Sequence, residues 1–107
     1  MPNSEYAVIF ITASAGEEAD LISKVLVEEG KAACVNIVDG VHSLFRWEGN
    51  IESTDESLLI VKAKTSFLEE IIRIVKEIHS NEVPEIIALP IIGGNPDYLA
   101  WIDKETL

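Results

Sequence analysis

Three stretches of this chain are apolar at every position: Val8–Ile9–Phe10–Ile11, Leu58–Leu59–Ile60–Val61 and Ile86–Ile87–Ala88–Leu89. Branched and aromatic residues dominate them, as suits β-strands. Successive side chains on a strand point to opposite faces of a sheet. A sheet with one face in water alternates apolar and polar positions instead. These strands therefore need an apolar cover on both faces, and that demand limits every other reading of the chain.

The rest of the sequence fills in around them. Tyr6 to Thr12 reads as the first strand. Ser14-Ala15-Gly16-Glu17 has the spacing of a capping box, with Ser14 as N-cap and Glu17 reaching back. Ala15, Ala19, Ile22, Val25 and Leu26 follow at helical spacing, and Gly30 supplies a stop. Ala32 to Val38 forms a second strand, with a bend or bulge at Asp39-Gly40 and an extended continuation to Trp47. Glu48-Gly49-Asn50 is a tight hairpin turn, and Ile51 onward returns as the third strand through Val61.

Ser66-Phe67-Leu68-Glu69 repeats the capping-box spacing. A second amphipathic helix runs through Leu68, Ile71, Ile72, Val75 and Ile78, and Asn81 and Pro84 end it. Ile86 to Ile92 is the fourth strand, and Pro90 places part of it at an edge or irregular point. After the loop Gly93 to Pro96, residues Asp97 to Ile102 read as a short terminal helix. The order is βαββαβ over one domain, residues 1–107. Right-handed crossovers turn it into an α+β, ferredoxin-like sandwich: a four-stranded antiparallel sheet with both helices on one face.

Two helices cover one face only. The terminal helix is too short to lie across four strands. An open apolar face of that extent is unusual on a monomer and predicts a closed oligomer, whose copy number the strands do not specify.

The formal net charge of −11 repels phosphate backbones and anionic membrane surfaces, so neither nucleic acid nor membrane is expected as a partner. The single cysteine, Cys34, allows no intrachain disulfide and suits a reducing compartment. The opening Met-Pro-Asn-Ser-Glu is a polar lead-in without a basic region and apolar stretch. These features predict a cytoplasmic protein.

Four blocks carry a resemblance: Ala32-Ala33-Cys34-Val35-Asn36, Phe45-Arg46-Trp47-Glu48-Gly49, Val83-Pro84-Glu85-Ile86 and Asp97-Tyr98-Leu99-Ala100-Trp101. In their order and spacing the chain resembles the CutA divalent-cation-tolerance family from Val8 to Ile102. The resemblance implies a homotrimer similar to that of PII signalling proteins, with sheets facing inward and the hairpin around Trp47 engaging a neighbour. It also implies an inter-subunit cleft lined by Cys34, Trp47, Lys62, Glu85, Tyr98 and Trp101. A link to divalent metal, copper in particular, comes with the family. The chain departs from the family pattern at His79-Ser80-Asn81, where many members read His-Pro-Tyr, at Phe45, where many have Tyr, and at Ile11, where some copper-binding members have Cys.

Residue chemistry suggests a metal set as well. His79 with Glu82 and Glu85 offers one nitrogen and two oxygens to a borderline divalent ion, or His79 simply ends its helix. Cys34 is either a buried small hydrophobe or a soft ligand, and without a second cysteine no closed zinc site forms. His42 reads as a surface residue. Trp47 and Trp101 suit subunit packing, with ligand stacking as the alternative. Lys62 facing Glu85 suits an anionic ligand. No nucleophile–base–acid trio is visible, so the chain reads as a binding or regulatory protein rather than an enzyme, with no organic cofactor and with a small ligand or partner protein as the competing role.

Overall fold

The computed structural model describes residues 4–107. The strands are β1 (Tyr6–Ala13), β2 (Cys34–Trp47), β3 (Asn50–Lys64) and β4 (Ile86–Pro90). The helices are α1 (Glu17–Glu28), α2 (Leu68–Ile78) and α3 (Pro96–Glu105). Of the polar lead-in, residues 1–3 lie outside the described residues. Ser4 donates to the Ile91 carbonyl at 2.6 Å, which ties this end to the chain beyond β4.

The sheet order is β2-β3-β1-β4, and every neighbouring pair is antiparallel. Aligned residues across such pairs share a face. Ala7, Ile9, Ile11 and Ala13 of β1 and Leu59, Val61 and Ala63 of β3 form the covered face. Ala19, Ile22 and Leu26 of α1 and Ile71, Ile74 and Val75 of α2 close over it. Both helices therefore lie on one side, as expected.

The other face carries Cys34–Lys62–Val8–Leu89 in one row and Asn36–Ile60–Phe10–Ile87 in the next, followed by Val38–Leu58–Thr12. Helix α3 covers only one end of it. Tyr98 touches Cys34 there, Tyr6 donates its hydroxyl proton to Asp103, and Ile102 is fully buried. Leu107 then hydrogen-bonds the Gly30 carbonyl at 2.9 Å. Gly30 sits at φ 70°, and its bare α-carbon leaves room for the Leu107 side chain. The β4 edge stays open, with Leu89 at the end of the first row and Ile87 at the end of the second about half exposed.

Beyond Ser57, β3 has no β1 neighbour. From Val41↔Glu56 to Trp47↔Asn50, β2 and β3 continue as a free two-stranded ribbon. In a bulge between Val38 and Val41, Asp39 and Gly40 stand opposite the single residue Ser57, whose Oγ donates to Asp39 at 2.6 Å. The ribbon closes through Glu48 (φ 49°) and Gly49 (φ 82°), the two left-handed residues of a type I′ turn. Two strands alone are marginal in water, so this arm needs a surface to lie on.

Both expected capping boxes are absent. Gly16 occupies the N-cap of α1, and Glu18 rather than Glu17 accepts the Ser14 N–H, at 3.0 Å. At the second, residues 65–67 form a 3₁₀ turn, so α2 begins at Leu68 with Phe67 as an uncapped N-cap. At the entry from β3, Thr65 N donates to the Glu5 carbonyl. Helix α3 is longer than expected: Asn95 caps it through the Asp97 N–H, Pro96 fits its first turn, and it runs on past Ile102 to Glu105. Strand β4 is shorter and stops at Pro90, on the sheet's outer edge. Among the described residues no helix is long and apolar enough to cross a membrane.

Ile9 sits at the centre of the covered face with no exposure. Ile9→Ala is expected to lower stability by about 2–5 kcal/mol, read as an earlier denaturant midpoint with an unchanged slope.

Candidate functional site

The residues proposed for a cleft divide into two groups at the two ends of β2. Cys34 is its first residue and Trp47 its last.

At the Cys34 end, Lys62 is the direct cross-strand neighbour on the open face. Its ammonium group donates to Asn36 Oδ1 and, at 3.3 Å, to the Ile60 carbonyl. Tyr98 reaches this spot from α3, and its ring packs on Trp101 with centroids 5.5 Å apart. Burial pushes the Tyr98 hydroxyl above its ordinary value of 10.0, and the adjacent Cys34 pushes it further. Cys34 itself is only partly buried. A thiol, an ammonium, a phenol and an indole thus share one corner.

At the Trp47 end, a cavity of about 720 Å³ opens between the ribbon and the 80–85 loop. The alternation along β3 puts Glu56 on the same side as Leu58, so this cavity adjoins the open apolar face. Phe45 and Trp47 line it with Glu52 and Glu56 from across the ribbon, and the loop contributes Glu82, Val83 and Glu85. Phe45 and Trp47 are each about 40 % exposed. Glu85 and Trp47 therefore belong together, but Lys62 does not face Glu85 within one chain.

The metal grouping of His79, Glu82, Glu85 and Cys34 does not assemble within one chain. Among the described residues no three His, Cys, Asp or Glu side chains gather closely enough to hold an ion. His79 is committed elsewhere. The backbone N–H of Asn81 donates to Nδ1 at 3.0 Å, which leaves the proton on Nε2 to be donated to the Thr12 carbonyl at 2.7 Å. The imidazole pins the end of α2 to β1. Glu18 completes the lock: it accepts from the Ser14 and Ser80 N–H groups and lies 3.8 Å from His79 Nδ1. His42 stands exposed on the ribbon, paired with Asp55 across the strands at 2.9 Å.

Sequence reasoning missed Glu52 and Glu56. The turn at Glu48-Gly49 already implies that Phe45 faces Glu52 and Val41 faces Glu56. Nothing local reveals that the 80–85 loop closes the other side.

Partial burial pushes the Glu18 carboxyl up, but the N–H groups of Ser14 and Ser80 and the nearby His79 outweigh it and hold it below the ordinary 4.5. A folded-state value below the unfolded one stabilises above the ordinary carboxylate range, and the contribution disappears as pH falls through the folded value. Glu18→Gln should therefore lower the melting temperature at pH 7, and the gap to the parent should narrow on acidification below about pH 4.

The CutA1 divalent ion tolerance protein family model matches residues 7–105. The Divalent-cation tolerance protein CutA of Thermus thermophilus is 46% identical over 99 residues, covering 92% of this chain and 96% of that protein. The chloroplastic Protein CutA of Arabidopsis thaliana is 42% identical over 92% of this chain. Against that relative the chain spans about half the length, 54%. The crystal structure of CutA1 from the psychrotrophic bacterium Shewanella sp. SIB1 superposes with a TM-score of 0.94 at 38% identity, covering 98% of both chains.

Proposed function

Because this chain belongs to the CutA1 divalent ion tolerance family, we propose that it acts as a cytoplasmic homotrimer that binds or responds to divalent metal such as copper. The observation that carries the trimer is the open sheet face. Val8, Phe10, Leu58, Ile60, Ile87 and Leu89 form a continuous apolar surface that α3 leaves largely uncovered. Burial gains roughly 25 cal/mol per Å² of apolar surface, which favours association once the face is shared. The ribbon of residues 41–56 supplies an arm for the neighbouring copy. A threefold arrangement joins the Cys34–Lys62–Tyr98–Trp101 corner of one subunit to the Trp47–Glu85 cavity of the next. Metal ligands then come from more than one chain, which agrees with their separation within one. The metal itself rests on the relatives' names. The free Cys34 supports a reducing compartment.

A second reading is a PII-like regulator that holds a small ligand or partner protein in the same inter-subunit cleft. The cavity of about 720 Å³ favours it, since its size matches small-molecule sites. Either role is one of binding rather than catalysis. Both histidines of the chain serve structural hydrogen bonds, His79 to Thr12 and Asn81, and His42 to Asp55.

Sedimentation at micromolar concentration is expected to give a single trimeric species. Phe10→Glu on the open face should dissociate it while the helical far-UV signal persists. A folded lone subunit in the parent protein would refute the shared core. Calorimetric titration with Cu(II) and Zn(II) tests the metal role, and binding no tighter than about 100 µM would exclude it.

A further inference from the structure

We propose that Lys62 of one subunit is the counter-charge of Glu56 in the next, so that a cation from a second copy completes the acidic cavity. The proposal deepens the trimer reading above and rests on it, adding the residue pair that sets how the copies meet.

The open face of β3 carries a charge pattern. Alternation places Glu56, Leu58, Ile60 and Lys62 in one line on that face. The line is acidic at one end, aliphatic in the middle and basic at the other. Its charged ends stand about 20 Å apart at roughly 3.3 Å per residue. Around Glu56 the sign repeats: Glu52, Glu82 and Glu85 line the same cavity, and no Lys, Arg or His does. Carboxylates gathered around one space repel each other until a cation joins them.

Lys62 is a cation without a carboxylate. Among the described residues it enters no salt bridge, whereas Lys31 pairs with Glu70 and Lys64 with Asp103. An ammonium group has three donors, and that of Lys62 uses two, on Asn36 Oδ1 and the Ile60 carbonyl. The third is free for an acceptor. Lys62 and Glu56 cannot meet within one subunit, because they occupy opposite ends of one straight strand segment.

The pattern also selects a direction of packing. Copies joined by like ends set Lys62 against Lys62 and Glu56 against Glu56, and like charges across an interface oppose association. Joined crosswise, each base enters an acidic cavity while Leu58 and Ile60 still meet apolar surface. One basic and one acidic end per copy then close a head-to-tail ring with no charged end left over.

The test is sedimentation over a dilution series in mild urea, with far-UV circular dichroism on each variant. Lys62 is partly exposed, so its replacement should leave the subunit folded. Lys62→Glu should raise the concentration at which copies dissociate by about tenfold or more, Lys62→Met by less, and Lys62→Arg scarcely at all. Adding Glu56→Lys to Lys62→Glu restores opposite charges and should recover most of the loss. A Lys62→Glu chain that assembles as tightly as the parent overturns the pair and leaves the trimer standing. Equal losses in Lys62→Met and Lys62→Glu overturn it too, because packing alone then explains them. So does a folded double variant that assembles no better than Lys62→Glu. If the double variant does not fold, the comparison of Lys62→Met with Lys62→Glu decides by itself. A parent chain that sediments as a lone subunit removes the trimer and the pair together.

Discussion

The structure depends on the register between β1 and β3, which aligns Tyr6 with Lys64 and Ala13 with Ser57. In most antiparallel sheets hydrophobicity sets the register, since a one-residue slip sends the apolar set into water. Here both sets are apolar, so that signal is nearly silent. Polar residues and side-chain size select the register instead. A slip by one would carry Lys62 and Lys64 beneath the helices, where Val61 and Ala63 now sit without exposure. An unpaired ammonium there is far more costly than any exchange of one aliphatic face for another. The two lysines thus orient a sheet whose aliphatic residues are indifferent to its orientation.

The same register explains why the functional residues separate. β1 ends at Ala13, opposite Ser57 of β3, so β2 and β3 run on alone and carry Trp47 away from Cys34. The open rows lie between these two ends. The open apolar face thus stands between the Cys34 corner and the Trp47 cavity.

Legibility followed the range of the interactions. The bulge at Asp39-Gly40 and the turn at Glu48-Gly49 depend on residues a few positions apart, and the structure places them as read. The α2 stripe holds at Leu68, Ile71, Val75 and Ile78, but Ile74 rather than Ile72 is buried in the core. The capping boxes also look local, but neither forms. Glu18, not Glu17, holds the Ser14 N–H because it also reaches Ser80 across the molecule. Ser66 lies in the 3₁₀ turn that enters α2, and it does not cap that helix. His79 looked available because its partner, the Thr12 carbonyl, is remote in sequence and invisible to any motif.

What the sequence by itself determined was the order of strands and helices, the two-sided character of the sheet and the place of the hairpin. Those follow from side-chain periodicity and turn stereochemistry, which act between near neighbours. The tertiary structure alone decided that His79 would bridge α2 to β1 and that α3 would settle at the Cys34 corner rather than elsewhere on the open face. Each of these depends on the strand order β2-β3-β1-β4, which brings distant segments side by side. Local propensity carries no record of such meetings, because their energies exist only after the chain has closed on itself.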